Sequence, residues 1–298
     1  MTAFFYLLTV VIWGTTWIAI KAQLGIVPLE VSIAYRFALA GALLFAGLWG
    51  AGRLQPIPLR QQPFILLQAL CLFSCNFVCF YLASQHMPSG LMSVVFSAAT
   101  IFNMVNAFVA FGRRPAGRVL AGAFIGVLGI MCLFWNVVTA SVLDRGTLTG
   151  LALALLGTWF FSVGNLVSAR NQRHGIAVAC ANAYGMLYGA ALMLLAAVTR
   201  GVPVTFDPSP TYVGSLLYLA VPGSVIGFTT YLTVVNRLGA EKAATMTVLF
   251  PVVALTVSML VEHYVATRLE AVGLVTILLG NAVVFVRLRK PESTYRPA

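Results

Sequence analysis

The chain alternates long apolar runs with short polar breaks. Ten such runs can be traced: Phe4–Ile20, Val31–Gly50, Phe64–Ser84, Ser89–Phe111, Val119–Trp135, Leu148–Ala169, Ile176–Val198, Tyr212–Val235, Ala243–Val261 and Leu269–Val286. Each is close to the ~20 residues that cross a bilayer core as an α-helix. The runs are continuous, without period-two alternation, which predicts helices and argues against a closed membrane barrel. The pattern also repeats. Ala34-Tyr35 returns as Ala183-Tyr184, Leu66-Leu67 as Leu216-Leu217, Tyr81 as Tyr231, and Gly122 and Gly129 as Gly273 and Gly280, all at an offset near 150. The expected fold is therefore all-α and integral to the membrane: ten transmembrane helices as two five-helix repeats around a central cavity. The repeats are placed at 1–140 and 146–290, with a cytoplasmic tail at 291–298. An odd number of spans per copy inverts the second copy in the membrane. Secondary carriers use that arrangement to build a midplane site open to alternate sides.

Composition sharpens this picture. The chain is 60% hydrophobic and 8% charged, which excludes an ordinary soluble domain. No basic segment precedes the first run, so it is expected to be a retained span and not a cleaved signal. Charge sets an expected orientation. With the N-terminus inside, one side carries Arg53, Arg60, Arg113, Arg114, Arg118, Arg170, Arg173, Arg237, Lys242, Arg287, Arg289, Lys290 and Arg296; the other carries Lys21, Arg145, Arg200 and Arg268. The positive-inside rule then places both termini in the cytoplasm of a bacterial-type inner membrane. The net charge of +11 is explained by this asymmetry and calls for no nucleic-acid partner. The lipid bilayer and a small-molecule substrate are the partners expected, and a monomer is favoured. Cys71, Cys75 and Cys79 share one helical face. That spacing fits either a soft-metal path or small packing residues, and packing is favoured because no Met or His ligands accompany them. No metal and no cofactor are expected.

Polar and aromatic residues inside the runs mark candidate lining. Ser93, Ser97 and Thr100 share one face of the fourth run; Thr158, Ser162 and Asn165 share one of the sixth, beside Trp159. Ser224, Phe228 and Tyr231 do so in the eighth, while Asn76, Phe80 and Tyr81 cluster in the third and Trp13, Thr16 and Trp17 in the first. Interhelical packing accounts for such residues as readily as a binding site does. The substrate-binding set is nevertheless placed at Trp13, Trp17, Asn76, Tyr81, Ser97, Trp159, Asn165 and Tyr231. Rings with a few amides and hydroxyls suit a substrate with an apolar body and polar groups. Arg36 lies well inside the second run. It is expected to pair with Glu30, Glu262 or helix-end carbonyls at the outer rim, with a substrate carboxylate as the alternative. Pro251 removes a ladder hydrogen bond within the ninth run and marks a hinge, and Glu262 and Arg36 are candidate gate residues. All seven acids, Glu30, Asp144, Asp207, Glu241, Glu262, Glu270 and Glu292, fall at run ends. A carrier driven by its substrate gradient therefore fits better than a proton-coupled one. An acid cluster or a mid-membrane His would be needed for an intramembrane enzyme; neither is present, and no catalytic residue is assigned.

Several segments resemble a known family. Ile12-Trp13-Gly14-Thr15-Thr16-Trp17-Ile18-Ala19-Ile20-Lys21 is similar to the Trp-Gly…Lys opening of EamA-type members of the drug/metabolite transporter superfamily. Tyr35-Arg36-Phe37 resembles their second span, and Phe250-Pro251-Val252-Val253-Ala254 with Val261-Glu262-His263 resembles the ninth. The first copy departs from the second: Ile101 and Gly112 stand where Pro251 and Glu262 would match. Within that family the chain resembles the aromatic-amino-acid exporters of the YddG kind. The resemblance implies a ten-helix basket with a central cavity between the first four helices of each half. It also implies efflux of amino acids and some toxic compounds; alternating access is what the inverted repeats lead one to expect. A multidrug or other metabolite exporter of the same superfamily is the alternative.

Overall fold

The computed structural model of the chain describes residues 1–112, 117–135, 145–238 and 246–285. Arg113, Arg114, Asp144, Glu241, Lys242, Arg287, Arg289, Lys290, Glu292 and Arg296, and the proposed tail 291–298, lie outside the described residues. All secondary structure among the described residues is helical. We number the rods α1 (Thr2–Ala22), α2 (Leu29–Gly50), α3 (Leu59–Ala83), α4 (Ser89–Phe96 with Ala99–Phe111), α5 (Gly117–Leu133), α6 (Arg145–Arg173), α7 (Val178–Thr199), α8 (Pro210–Tyr218, Leu219–Ile226 and Gly227–Leu238), α9 (Met246–Val261) and α10 (Arg268–Phe285). Seven of these, α1–α4 and α6–α8, are long and apolar enough to cross a membrane. Of the other three, the 17-residue α5 and the described part of α9 are apolar but shorter, and the 18-residue α10 carries Arg268 and Glu270 in its first turn.

Two rods contain a widened π-helical turn, Leu70–Cys75 in α3 and Leu219–Ile226 in α8. In α8 the cause is local: Pro222 sits inside the turn and has no N–H to donate. In α3 the widened turn pushes the Phe73 backbone onto α7. A Cβ on Gly189 would lie 2.7 Å from Phe73 Cβ and 3.1 Å from its carbonyl oxygen. The Gly185–Gly189 pair is thus an internal packing groove for Phe73. α4 is also interrupted. Ser97 and Ala98 form a turn between its two halves, and Ser97 Oγ donates to the Val94 carbonyl at 2.6 Å.

Packing follows a regular scheme. α1 lies on α8 and α9, and α6 lies on α3 and α4; α3 packs on α7 and α2 on α8. α2 meets α7, α4 meets α9 and α5 meets α10. Advancing every helix number by five carries these principal pairs onto one another or onto themselves. The α5–α10 seam is the tightest. A Cβ on Gly280 would sit 2.6 Å from the Gly122 carbonyl oxygen and 2.7 Å from the Gly126 nitrogen, and one on Gly129 would sit 2.7 Å from the Ile277 nitrogen. Glycines spaced by seven let the two backbones touch.

The two ends of the bundle are fastened differently. Where α3, α6 and α7 meet, Asn171 Nδ2 donates to Gln68 Oε1 at 2.9 Å, and Gln68 Nε2 donates to Asn182 Oδ1 at 3.0 Å. Arg170 extends this buried amide chain by donating to Asn171 and Gln61. At the opposite end the fasteners are ionic.

Candidate functional site

The site grows from one face of α1. Trp13, Thr16, Trp17 and Ile20, spaced by three and four, point the same way. Trp13 is fixed at both ends. Its ring centroid lies 5.2 Å from Phe228, 5.2 Å from Tyr231 and 5.6 Å from Phe250. Its Nε1 donates to the Gly223 carbonyl, at 3.0 Å, within the π-helical turn of α8. The indole edge also lies over Gly227, where a Cβ would collide with Nε1. Trp17 packs edge-on to Phe80 at 5.0 Å and lies 5.3 Å from Phe96, which meets Phe161 of α6 at 4.7 Å. Between these rings lies a chamber of about 90 Å³. It is walled by α1, α2, α3, α4, α6, α8 and α9.

One charge enters this chamber. Arg36 of α2 is only 4% exposed and contributes to the lining. Its guanidinium carbon stands 4.3 Å from the Phe77 ring centroid and 5.1 Å from that of Phe37. Nε and Nη1 are buried without hydrogen-bond partners. The Tyr81 hydroxyl is its polar neighbour, and that hydroxyl donates to Gln23 Oε1. The expected pairing of Arg36 with Glu30 or Glu262 is not what the structure contains. Glu30 binds Arg200, and Glu262 binds Lys21 at 2.6 Å. Helical geometry explains the first difference: residues six apart on one helix face directions about 240° apart.

Glu262 organises the end of the bundle where α1 finishes. Besides Lys21, it accepts from the Ser89 backbone N–H at 3.0 Å, from the Ser89 hydroxyl, and from Ser258 Oγ at 2.6 Å. The carboxylate therefore ties the C-terminus of α1 and the N-terminus of α4 to α9. Burial alone would raise its pKa; the hydrogen bonds from Lys21, Ser258 and Ser89 outweigh burial and hold it below the usual carboxylate range. At the same end a vestibule is lined by Gln23, Glu30, Tyr81, Gln85 and Arg200. Arg36 faces the chamber and Tyr81 faces the vestibule, so this contacting pair stands between them.

The residues singled out from sequence are distributed unevenly. Trp13, Trp17 and Arg36 line the chamber, and Tyr231 backs Trp13. Tyr81 is fully buried at its vestibule end. Asn76 is buried with Oδ1 unpartnered, and its backbone carbonyl lies against Gly157 of α6. Ser97 lines a separate crevice with Thr100 and Asn281, between α4, α5 and α10. Trp159 is 40% exposed and stacks on Phe160, and the half-buried Asn165 is not part of the chamber lining. Pro251 is buried within α9, one residue beyond the chamber-lining Phe250. Phe77, Phe96, Phe161 and Phe250 line the chamber but were not singled out. Their one signal was the Phe77–Phe80 spacing of three. Cys71 and Cys79 press on Gly164 and Gly157 of α6, where Cβ atoms would lie 3.2 and 3.0 Å away. The cysteine stripe is a packing face.

Comparison with known proteins gives consistent results. A model described as the EamA-like transporter family matches residues 1–135 and 148–286. The chain is 26% identical to the "Probable amino-acid metabolite efflux pump" of Escherichia coli K12, over 92% of this chain and 91% of that protein. It is 27% identical to the E. coli K12 "Uncharacterized inner membrane transporter YedA", over 94% and 88%. It is also 27% identical to the "Probable terminal-alkyne amino-acid exporter" of Streptantibioticus cattleyicolor, over 89% and 87%. A solved crystal structure shares the fold with a TM-score of 0.67 at 18% identity, over 95% of both chains.

Proposed function

Because the chain belongs to the EamA-like transporter family, we propose that it is a multi-pass inner-membrane carrier that exports amino acids and related carboxylate metabolites, preferring aromatic or apolar bodies. One observation carries this reading: a buried guanidinium with two unpartnered nitrogens opens onto a chamber of aromatic rings. An unpaired buried cation is costly until an anion meets it. A carboxylate on Arg36 and an apolar body among the Trp and Phe rings satisfy both features at once. The names of the E. coli efflux pump and the Streptantibioticus exporter support the same substrate class. The cation disfavours lipophilic cations, and with them the multidrug alternative.

The proposed mechanism is alternating access by two inverted five-helix repeats, 1–140 and 146–290. Three observations support the repeats: the two family matches, the exchange of helix pairs on advancing by five, and π-helical turns in both α3 and α8. In the conformation seen here, Glu262 ties α1, α4 and α9 together where α1 finishes, which we read as the closed end, and α9 packs on the Ser89–Phe96 half of α4. The interruption at Ser97–Ala98 and the break at Pro251 are the proposed flexing points. With both termini cytoplasmic, the closed end is periplasmic. Reporter fusions after α5 should be active in the periplasm, and fusions after α10 only in the cytoplasm; the reverse pattern overturns the orientation.

Proton coupling is not part of the proposal. The carboxyl of Glu262 has a depressed pKa in the folded state, so its stabilising contribution is present above the unfolded value. It is lost only as pH falls through the folded value, which lies below the unfolded one. The latch stays ionised on both sides of a membrane near neutral pH. Purified protein in liposomes should show saturable counterflow of labelled aromatic and large apolar amino acids, little changed by a pH gradient between about 6 and 8. Concentrative transport driven by that gradient and abolished by Glu262→Gln would overturn the substrate-driven mechanism.

A further inference from the structure

We infer that the chamber recognises a carboxylate and an apolar body but does not recognise an α-ammonium group, so that net-negative aromatic carboxylates bind in preference to zwitterionic amino acids. The inference rests on the carboxylate-anchor reading above and asks what stands opposite the rest of the ligand. Among the described residues, Arg36 is the single charged residue of the lining. Every acid among the described residues lies elsewhere and already holds a donor. Glu30 holds Arg200 and Glu262 holds Lys21. Asp207 accepts from the Ser209 N–H, and Glu270 from the Thr267 N–H.

The neutral polar groups of the lining are also engaged. The Thr16 hydroxyl donates to the Trp13 carbonyl at 2.8 Å, and Trp13 Nε1 donates to Gly223. Among the described residues of the lining, a free lone pair on Thr16 Oγ1 is the one side-chain acceptor left. An ammonium group has three N–H donors to satisfy, and buried donors without acceptors are costly. It is also fixed beside the carboxylate, so it enters the repulsive field of the guanidinium that attracts the carboxylate. Ring faces offer a cation only a weak, undirected attraction. The Phe37 and Phe77 rings already carry the Arg36 guanidinium. A ligand without the ammonium charge keeps the attraction and loses both penalties.

Four ligands with one benzyl body separate the contributions. The detergent-purified full chain is titrated calorimetrically with phenylalanine, 3-phenylpropanoate, N-acetylphenylalanine and 2-phenylethylammonium. Both anions are expected to bind at least about tenfold tighter than phenylalanine, and 2-phenylethylammonium not to bind. In Arg36→Gln the anions should weaken at least about tenfold and the discrimination should vanish. Phenylalanine binding as tightly as 3-phenylpropanoate, or tighter, overturns the inference. If that binding is still lost in Arg36→Gln, the carboxylate anchor stands and only the indifference to ammonium falls. If neither anion binds the wild-type chain at about 10 mM, or if both bind Arg36→Gln unchanged, the anchor reading itself fails and takes this inference with it. The wild-type series tests the order of affinities even should the variant fold poorly.

Discussion

Arg36→Gln is expected to lose transport while leaving the protein at least as stable. Removing one partner of a buried, hydrogen-bonded charge pair costs about 2–5 kcal/mol of binding, or roughly 30-fold and more in Kd. In the empty carrier, however, Arg36 has no carboxylate partner, and its Nε and Nη1 are unsatisfied. A neutral side chain there removes a desolvation cost without breaking an ion pair. The two effects therefore run in opposite directions. Counterflow in liposomes should fall at least about 30-fold, while the melting temperature of the purified chain holds or rises. Arg36→Lys keeps the charge but loses the planar fork and should recover only part of the flux. A variant that transports normally removes Arg36 from the site; one that melts well below wild type assigns it a structural role instead.

The largest expected loss of stability lies far from the chamber. Gly280→Val places a branched side chain where its Cβ would stand 2.6 Å from the Gly122 carbonyl oxygen and 2.7 Å from the Gly126 nitrogen. Those neighbours are backbone atoms and cannot turn aside as a side chain would. Overpacking of this kind costs up to about 3 kcal/mol, and here it would separate α5 from α10. The expected outcome is a sharp fall in folded yield and melting temperature. Gly47→Ala provides the control, since nothing lies within 4 Å of its Cβ position; it should be neutral. Wild-type melting of Gly280→Val would mean that the seam is not formed as described.

The sequence made the scaffold legible because membrane helices announce themselves by length and apolarity, and close helix contacts by glycine. The recurrence of Gly122 and Gly129 as Gly273 and Gly280 was visible as spacing alone, and these residues meet across one seam. The site was only partly legible. Trp13 stood out because tryptophan away from the interface is unusual, and Trp17 because it shares that helical face; Trp159 stood out on the same ground as Trp13, yet it is exposed and outside the chamber lining. Phe96, Phe161 and Phe250 did not, because phenylalanine suits lipid and cavity equally. Asn76, Phe80 and, one step round, Tyr81 cluster in the third run, yet they part company. Phe80 joins Phe77 in the chamber, Asn76 turns to α6, and Tyr81 reaches Gln23. Phe80 and Tyr81 are neighbours in a regular helical stretch and so point about 100° apart; the preceding π-helical turn, Leu70–Cys75, turns the whole set relative to the start of α3. The ion pairs were illegible for another reason. Arg200 and Lys21, which hold Glu30 and Glu262, are brought to those acids from 170 and 241 residues away by the tertiary fold. Arg36 was therefore matched with partners already taken.

The placement of the tryptophans has an optical consequence. The chain has five. Trp13 and Trp17 stand in the chamber wall, while Trp49, Trp135 and Trp159 are exposed at 73%, 56% and 40%. The chamber pair sits among rings, against Phe228, Tyr231, Phe80 and Phe96. Anything that enters must displace the surroundings of both indoles. With phenylalanine at the three outer positions, indole emission would come from the chamber pair alone. The native side chains would then serve as a built-in fluorophore for occupancy, and filling and emptying could be followed in real time without attaching a dye.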